Sequence, residues 1–191
     1  MKNVQLYDKS FKPYMSYEEI QKAIDAVAEK INNDLKDEHT PIFLGVLTGS
    51  FMFFGDLLKR INLECETCFI RLASYEGTSS TGDVKQVLGL TQSVKDRNVV
   101  VVEDIVDTGG TITELYNILH ENGAKSIRIA TLMYKPGSYK GTIKIDYPAC
   151  SIPNDFIVGF GLDYDQIGRN LKDIYVLDPE ETAKRKAINV R

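Results

Sequence analysis

The sequence predicts an α/β fold in which a mainly parallel central sheet is flanked by helices. Apolar runs of strand length alternate with segments of helical periodicity through the first two thirds of the 191 residues, which is typical of βαβ units. Residues 99–102 are four consecutive valines, as expected of a strand that is buried on both faces of a parallel sheet. The chain is long enough to bury a sizeable core, so we expect a single domain over residues 1–191.

The first element that the sequence predicts is an amphipathic helix after Ser16. Ser16 and Glu19 have the spacing of a capping box, in which each side chain satisfies the backbone of the other residue. Apolar residues then recur at helical spacing, and these are Ile20, Ile24, Val27, Ala28, Ile31 and Leu35. A buried strand at residues 42–47 and a turn at residues 48–50 lead into a second helix. The predicted apolar side of that helix consists of Phe51, Phe54, Leu57 and Leu58.

The later elements follow from the same kinds of pattern. Residues 63–75 are predicted to form a strand, and the polar, glycine-containing segment 76–86 is typical of a mobile loop. The helix after the valine strand is expected to end near Asn122 and Gly123, a common C-cap pair. Further strands are predicted at residues 126–134, 143–145, 156–158 and 174–177. Residues 180–191 are expected to be a solvated end.

Composition and charge exclude several classes of protein. The net charge of −4 argues against a nucleic-acid-binding surface, and no apolar run is long enough to span a membrane. Three cysteines cannot all pair within the chain, and the N-terminal residues lack the apolar run of a secretory signal. Cys65 and Cys68 lie in a predicted strand, where residues three apart point to opposite faces, so a redox or metal pair is not expected. We therefore expect a reduced, cytoplasmic protein.

A cluster of acids and glycines stands where the valine strand should end. Glu103 and Asp104 follow the strand directly, and Asp107 opens a short turn. The other residues of this turn are Thr108, Gly109, Gly110 and Thr111. The glycines let backbone amides approach an anion, the threonines add donors, and the following helix N-terminus attracts phosphate. Because the turn has no lysine, a monophosphate fits better than a nucleoside triphosphate, and the two acids would contact sugar hydroxyls or Mg2+.

Residues 99–111 resemble the phosphoribosyl-pyrophosphate-binding motif of type I phosphoribosyltransferases, in which two acids and two variable residues precede Asp-Thr-Gly-Gly-Thr. The resemblance implies that family's fold, with a core of roughly residues 16–140. A small hood subdomain would consist of the N-terminal residues and roughly residues 141–175. It further implies that Glu103 and Asp104 bind the ribose hydroxyls, that residues 107–111 bind the 5′-phosphate, and that Mg2+ takes part.

Other segments, in the family's order, are similar to those of hypoxanthine-guanine phosphoribosyltransferases. Residues 45–50 resemble the loop that contacts pyrophosphate, which includes Thr48, where some members have lysine, and Gly49. The family has a non-proline cis peptide in this loop, a feature to be checked in a structure. Ser74 and Tyr75 resemble the start of the catalytic loop, which would act as a lid that excludes water.

The resemblance also implies roles for residues in the second half of the chain. Lys135 would donate to the purine 6-oxygen, Phe156 would stack on the base, and Ile157 would contact the base edge through its backbone. An adenine amino group would face the Lys135 donor, and an unpaired buried donor costs about 1–3 kcal/mol, which disfavours adenine. Asp163 is implied to contact Mg2+ beside the base, together with Glu103 and Asp104 as further candidate ligands. Arg169 is implied to contact pyrophosphate, and Asp107 to manage the N7 proton as the catalytic residue.

The function that the resemblance implies is transfer of the 5-phosphoribosyl group from phosphoribosyl pyrophosphate to N9 of a 6-oxopurine. The base would be hypoxanthine and also guanine, giving IMP or GMP and pyrophosphate in purine salvage, and the family implies a homodimer or homotetramer. A xanthine-preferring enzyme stays open, because Lys135 and Phe156 would serve that base too. A nucleic-acid-binding regulator on the same fold is a second alternative, but it would need a basic surface, which the net charge disfavours.

Overall fold

The computed structural model describes residues 1–73 and 85–189, and their side chains except those of residues 73, 85–87 and 185–189. The elements are β1 (Val4–Leu6), β2 (Lys9–Met15), α1 (Tyr17–Leu35), β3 (Ile42–Val46), α2 (Phe51–Leu58), β4 (Glu66–Ala73), β5 (Lys85–Leu88), β6 (Asn98–Val106), α3 (Gly110–Glu121), β7 (Ser126–Tyr134), β8 (Tyr147–Ser151), β9 (Ile157–Val158), β10 (Ile174–Leu177) and α4 (Pro179–Asn189). They form a six-stranded sheet in the order β5-β4-β3-β6-β7-β8 and a four-stranded sheet in the order β1-β2-β10-β9.

The six-stranded sheet is the mainly parallel sheet that the sequence predicts. Strands β4, β3, β6, β7 and β8 run parallel, and β5 pairs antiparallel with β4. Val100 and Val102 pack in the same core cluster as α1 and α2, whereas Val99 and Val101 pack in the cluster of α3. Both faces of β6 are therefore buried, which is why its sequence is continuously apolar rather than alternating.

The capping box and the apolar face of α1 are confirmed. The Glu19 carboxylate accepts from the Ser16 backbone N–H at 2.8 Å, and the Ser16 hydroxyl accepts from the Glu19 N–H at 3.3 Å. All six predicted face residues are buried. In α2 the prediction is right for Phe54 and Leu57 but wrong for Phe51, which is 43% exposed, because Phe53 takes the buried position.

The four-stranded antiparallel sheet and residues 159–173, which join β9 to β10, are called the hood below; β8, within the range 141–175 expected for the hood, belongs to the six-stranded sheet instead. The hood has a small core of its own around Phe11, Val158 and Tyr175. The hood is attached to the start of α1, because the Tyr17 backbone N–H donates to the buried Asp173 carboxylate at 2.8 Å. This places the β9 and β10 strands beside the carboxyl ends of the large sheet.

One sequence prediction about the edges of the fold is wrong. Residues 143–145 are not a strand; the edge strand begins at Tyr147, while Ile143 and Ile145 pack on the core from a loop. Residues 179–189, most of the predicted solvated end, form α4, whose described side chains are exposed or half-buried, and the Thr182 hydroxyl accepts from the Ser10 N–H on β2 at 3.0 Å. An acid just before this helix was a signal for it, since the Glu181 N–H donates to Asp178.

The predicted lid falls mostly outside the described part of the chain. Ser74 and Tyr75 lie outside it, as does most of the segment 76–86, whereas residues 85 and 86 belong to β5. The strand predicted at residues 63–75 begins later, at Glu66. Among the described residues, no helix is both long and apolar enough to cross a membrane.

Candidate active site

A cavity of about 730 Å³ opens at the carboxyl ends of β3 and β6, beside the N-terminus of α3. It is lined by residues 46–49, Leu72, residues 103–112, Glu114, Asp163 and Arg169. Ligands of open α/β sheets bind at this edge, because the strands end there and helix N-termini point towards it. The structure therefore brings together three segments that the sequence analysis had selected separately.

The turn between β6 and α3 is built to place amides against an anion. Gly109 has φ +94°, a conformation that glycine adopts without a steric penalty, and α3 begins at the next residue. The Gly109 carbonyl accepts from the Thr113 N–H and from the Thr113 hydroxyl, both at 2.9 Å. This fixes the turn while the first amides of the helix stay available to a ligand.

Glu103 and Asp104 line the wall of the cavity from within β6, which continues to Val106 instead of ending before them as the sequence predicts; Glu103 is buried and Asp104 half-buried. Glu103 is 7% exposed, and one of its carboxyl oxygens has no hydrogen-bond partner among the described residues. Burial, with the neighbouring Asp104 carboxylate, raises the pKa of Glu103 well above its usual value. Burial likewise raises the pKa of Asp104 to about 6, although the Ile105 N–H and Arg169 favour its charged form. Both acids would gain from a ligand that supplies hydroxyl donors or positive charge.

The loop at residues 47–49 is held between β6 and the hood. The Leu47–Thr48 peptide is cis, as the family resemblance implied. Gly49 lies so close to Asp104 that a side chain at this position would collide with the carboxylate. On the other side, Gly161 has φ +99° and approaches the Gly49 carbonyl, with which a Cβ would also collide.

Arg169 and Asp163 hold the hood loop over the cavity. An Arg169 Nη donates to the Gly161 carbonyl at 2.9 Å, and the other forms an ion pair with Asp163 at 2.8 Å. The second Asp163 oxygen accepts from the Gln166 N–H at 2.8 Å. The guanidinium thus faces the cavity from a fixed position and can bind an anion there.

Lys135 reaches the cavity through Asp107. Its ammonium forms an ion pair with the Asp107 carboxylate at 2.7 Å, and the Lys135 side chain is 9% exposed whereas that of Asp107 is 41% exposed. The Lys135 N–H donates to the Val106 carbonyl at 2.9 Å, so the ends of β6 and β7 are tied together. Asp107 lines the cavity and Lys135 does not, so the ammonium is held next to the cavity by its ion pair with Asp107.

Phe156 and Ile157 do not line the cavity. Phe156 is 45% exposed, and its ring packs against Phe11 and Tyr164 with centroid distances of 6.1 and 5.9 Å. Ile157 is buried in β9, so its backbone is the part that could meet a ligand. The sequence analysis missed Gly161, although its place beside Gly159 in the segment 155–164 was a signal, because paired glycines often mark close backbone approach.

The described residues contain no group of three or more His, Cys, Asp or Glu side chains arranged to hold a metal ion. Glu103, Asp104 and Asp163 all line the cavity, but they do not form such a cage by themselves. Mg2+ commonly takes one or two carboxylates and completes its shell with water and phosphate oxygens. The orphaned Glu103 oxygen and the Asp163 carboxylate are compatible with that kind of site.

Comparison with known proteins gives one consistent result. Residues 15–165 match the phosphoribosyl transferase domain. The chain is 41% identical over 170 residues to a hypoxanthine-guanine phosphoribosyltransferase from Lactococcus lactis, covering 88% of this chain and 92% of that protein. A Bacillus subtilis protein of the same name is 39% identical over 169 residues, covering 88% and 93%. A solved Trypanosoma cruzi hypoxanthine phosphoribosyl transferase superposes with a TM-score of 0.84 at 34% identity, over 96% of this chain and 100% of that one.

Proposed function

This chain belongs to the phosphoribosyltransferase family, on its hypoxanthine-guanine branch, and from that premise we propose that it transfers a 5-phosphoribosyl group to a 6-oxopurine. Phosphoribosyl pyrophosphate would be the donor, hypoxanthine or guanine the acceptor, and IMP or GMP and pyrophosphate the products of a purine salvage reaction. The observation that carries the proposal is the ion pair of Lys135 and Asp107, 2.7 Å apart at the edge of an anion-binding cavity.

The donor substrate would occupy the cavity with its phosphate on the turn before α3. The amides of residues 108–111 supply donors for the 5′-phosphate, supported by the start of the helix. Glu103 and Asp104 would accept from the ribose hydroxyls, which would satisfy the orphaned Glu103 oxygen. The pyrophosphate group would lie against Thr48, Gly49 and Arg169, which line the same cavity from the opposite side.

The base would be read by the Lys135 and Asp107 pair. The 6-oxygen and N7 of a purine lie side by side on one edge of the ring, which matches a donor and an acceptor 2.7 Å apart. Lys135 would donate to the 6-oxygen, and Asp107 would take the proton associated with N7. Phe156 offers an exposed ring face for stacking, and the Ile157 backbone follows it directly. An adenine amino group would face the Lys135 ammonium, donor against donor.

The reaction would form the N9–C1 bond as the C1–pyrophosphate bond breaks. Positive charge would develop on the ribose, where the carboxyl groups of Glu103 and Asp104 can stabilise it when ionised. Asp107 would accept the proton that the base loses, acting as the general base. Arg169 would stabilise the leaving pyrophosphate by a planar, charge-assisted contact.

Magnesium would be held by Asp163 and by substrate oxygens, with Glu103 and Asp104 as further candidate ligands. The ion supplies positive charge that neutralises the pyrophosphate group as it leaves. Asp163 is suited to this because it faces the cavity and is already fixed by Arg169 and the Gln166 N–H.

We propose a cytoplasmic homodimer or homotetramer that requires neither nucleic acid nor membrane. Phe51, 43% exposed next to the loop at residues 47–49, is a candidate contact between subunits. Light scattering on the purified protein would measure the oligomeric state, and a monomer that is fully active would contradict this part of the proposal.

The experiment that tests the function is product formation from phosphoribosyl pyrophosphate and magnesium, with five bases offered separately. Hypoxanthine, guanine and xanthine should be ranked, while adenine and uracil should be inert because they cannot satisfy Lys135 and Asp107 together. Binding of phosphoribosyl pyrophosphate is measured in parallel on the same preparation. Folded protein that binds this donor and turns over no base would overturn the enzyme assignment, and preference for xanthine would identify the alternative substrate.

A further inference from the structure

A turn that follows β7 lies directly against the phosphate-binding turn. Residues 135–141 fold back after the strand, with the Ser138 and Tyr139 N–H groups both donating to the Lys135 carbonyl at 3.1 Å. The Lys140 N–H then donates to the Thr108 carbonyl at 3.2 Å. The two turns are therefore joined through their backbones, and the side chain between these contacts is Tyr139.

The Tyr139 ring occupies the space that a side chain at Gly109 would need. A Cβ at Gly109 would collide with this ring, so the ring lies against the Cα of the residue whose φ of +94° shapes the phosphate-binding turn. Tyr139 does not line the cavity, so the substrate would not touch it. Its contact with the site passes through the backbone of Gly109.

Several contacts fix the ring in place. The Tyr139 hydroxyl donates to the Ile143 carbonyl at 2.6 Å, and the ring meets Tyr134 edge to face with 5.7 Å between centroids. Gly141 closes the remaining side, because a Cβ there would stand 2.6 Å from the Tyr139 hydroxyl oxygen and 2.7 Å from Cζ. A Cβ at Gly141 would stand 3.0 Å from Cε2, the same ring atom that a Cβ at Gly109 would meet at 2.4 Å, so added bulk at Gly141 displaces the part of the ring that lies against Gly109.

We infer that Tyr139 is a positioning residue for the 5′-phosphate site, which sets the place of the Gly109 backbone and with it the amides that would bind the phosphate. This inference rests on the proposed function for the identity of the ligand. It makes Gly141 a second determinant of the same site, although Gly141 touches neither the turn nor the substrate. Amide donors must stand within a fraction of an ångström of an anion to bind it well, so a small displacement of the ring has a large effect.

The test is a double-variant cycle read by calorimetry, with phosphoribosyl pyrophosphate and inorganic pyrophosphate, each with magnesium, as separate probes. Gly141→Ala should weaken binding of phosphoribosyl pyrophosphate roughly tenfold by displacing the ring from its place against Gly109. In a Tyr139→Leu background the same change should have no further effect, because the ring that transmits it is gone. Inorganic pyrophosphate should bind equally to all variants, since its proposed contacts, Gly49 and Arg169, lie elsewhere.

Matched control variants distinguish an effect of the Tyr139 ring on the phosphate site from a general loss of folded structure. Gly137→Ala adds a methyl group in the same turn with nothing within 4 Å of it, and it should bind both probes as the wild type does. Tyr139→Phe keeps the ring but loses the anchor to Ile143, and should weaken phosphoribosyl pyrophosphate binding by about two- to tenfold. Tyr116→Phe removes the same hydroxyl group from α3, outside the cavity lining, and should have no effect.

The inference is overturned if Gly141→Ala leaves phosphoribosyl pyrophosphate binding unchanged, or if it weakens binding equally with and without Tyr139. Should Gly141→Ala fail to fold, Tyr139→Phe against Tyr116→Phe decides the question by the same two probes. Wild-type protein that binds neither probe would instead contradict the proposed function, so the two failures are distinguishable.

Discussion

The half-buried position of Asp104 has a cost to stability, which a ligand would offset. Its pKa rises from 3.8 to about 6 on folding, so the folded state holds a proton that the unfolded state has released. For such a group the free energy of unfolding is highest below about pH 4 and falls as the pH rises to about 6, by roughly 3 kcal/mol in total. Above that window the half-buried carboxylate is charged and can accept hydrogen bonds from hydroxyl groups.

We therefore expect Asp104→Asn to raise the melting temperature at pH 8, by several degrees, and to raise it only about a third as much at pH 4.5, where folded Asp104 is mostly protonated. The amide oxygen can still accept from the Ile105 N–H, which Asp104 does at 2.8 Å. The same variant should bind phosphoribosyl pyrophosphate more weakly, a gain in stability at the expense of function. Asp96→Asn, a matched change of an exposed acid, should shift the melting temperature equally at both pH values; a pH-independent effect of Asp104→Asn would contradict the argument.

Lys135 gives a prediction about selectivity at the same scale. Lys135→Met keeps most of the buried aliphatic stem but removes the ammonium that pairs with Asp107 at 2.7 Å. A hydrogen bond to a charged group contributes about 1.5–3 kcal/mol, so kcat/KM for hypoxanthine should fall by roughly 10- to 150-fold. The ratio of kcat/KM for hypoxanthine to kcat/KM for adenine should fall, because Lys135→Met removes the donor that opposes the adenine amino group. Lys140→Met, an exposed lysine in the following turn, is the control, and an unchanged hypoxanthine-to-adenine ratio in Lys135→Met would contradict this role.

At the scale of elements, α4 stabilises the hood through one hydroxyl group. The Thr182 hydroxyl accepts from the Ser10 N–H at 3.0 Å and donates to the Asp178 carbonyl at 2.7 Å, which attaches the helix to β2. Thr182→Val keeps the shape but leaves the Ser10 N–H unpaired, which costs about 1–3 kcal/mol of the free energy of unfolding. Denaturant unfolding measures this loss. Thr182→Ser retains the hydroxyl group and should recover most of the stability, and equal losses in both variants would exclude the hydrogen bond as the cause.

Elements whose signal is local could be predicted from the sequence. The periodicity of α1 identified its six buried residues, because a helix spanning one apolar layer buries the residues at that spacing. Residues 143–145 misled the prediction, since Ile143 and Ile145 alternate with a lysine as they would in a strand. Whether such a segment pairs depends on register against β7, and β7 pairs instead with β8 from Tyr147 onward. Which segment pairs with β7 is determined by residues that are distant in the sequence, so no local pattern reveals it.

In the candidate site, too, features that are contiguous in the sequence could be predicted, whereas contacts between distant residues could not. The turn at residues 107–111 is contiguous in the chain, and its glycines and hydroxyl groups indicate its chemistry directly. The approach of Gly161 to Gly49, and of Tyr139 to Gly109, joins residues far apart in sequence. Such contacts are properties of the assembled fold, so a single sequence could mark the glycines as unusual without showing what they touch.

At the scale of the whole molecule, the core and the hood meet across the cavity at a contact between two backbones. Gly161 in the hood approaches the Gly49 carbonyl in the core, and the Gly161 carbonyl in turn accepts from Arg169 at 2.9 Å. The Tyr17 N–H and Asp173 form a second attachment at 2.8 Å, at the start of α1. The contact that determines the spacing between the core and the hood therefore lies next to the proposed pyrophosphate site.

Gly161→Ala should move the hood away from the core at this contact, and it should weaken ligand binding more than it lowers the stability of the fold. The added methyl group would collide with the Gly49 carbonyl, and φ of +99° is strained for alanine, so we expect about 1–3 kcal/mol lower stability. Because Arg169 and Gly49 would both shift, pyrophosphate affinity should fall by more than the turnover of bound substrate. Calorimetry with pyrophosphate and steady-state kinetics measure the two effects. Gly55→Ala, on an exposed turn of α2 with nothing within 4 Å, should be neutral or stabilising; pyrophosphate binding that survives Gly161→Ala unchanged would show that the lobes do not need this contact.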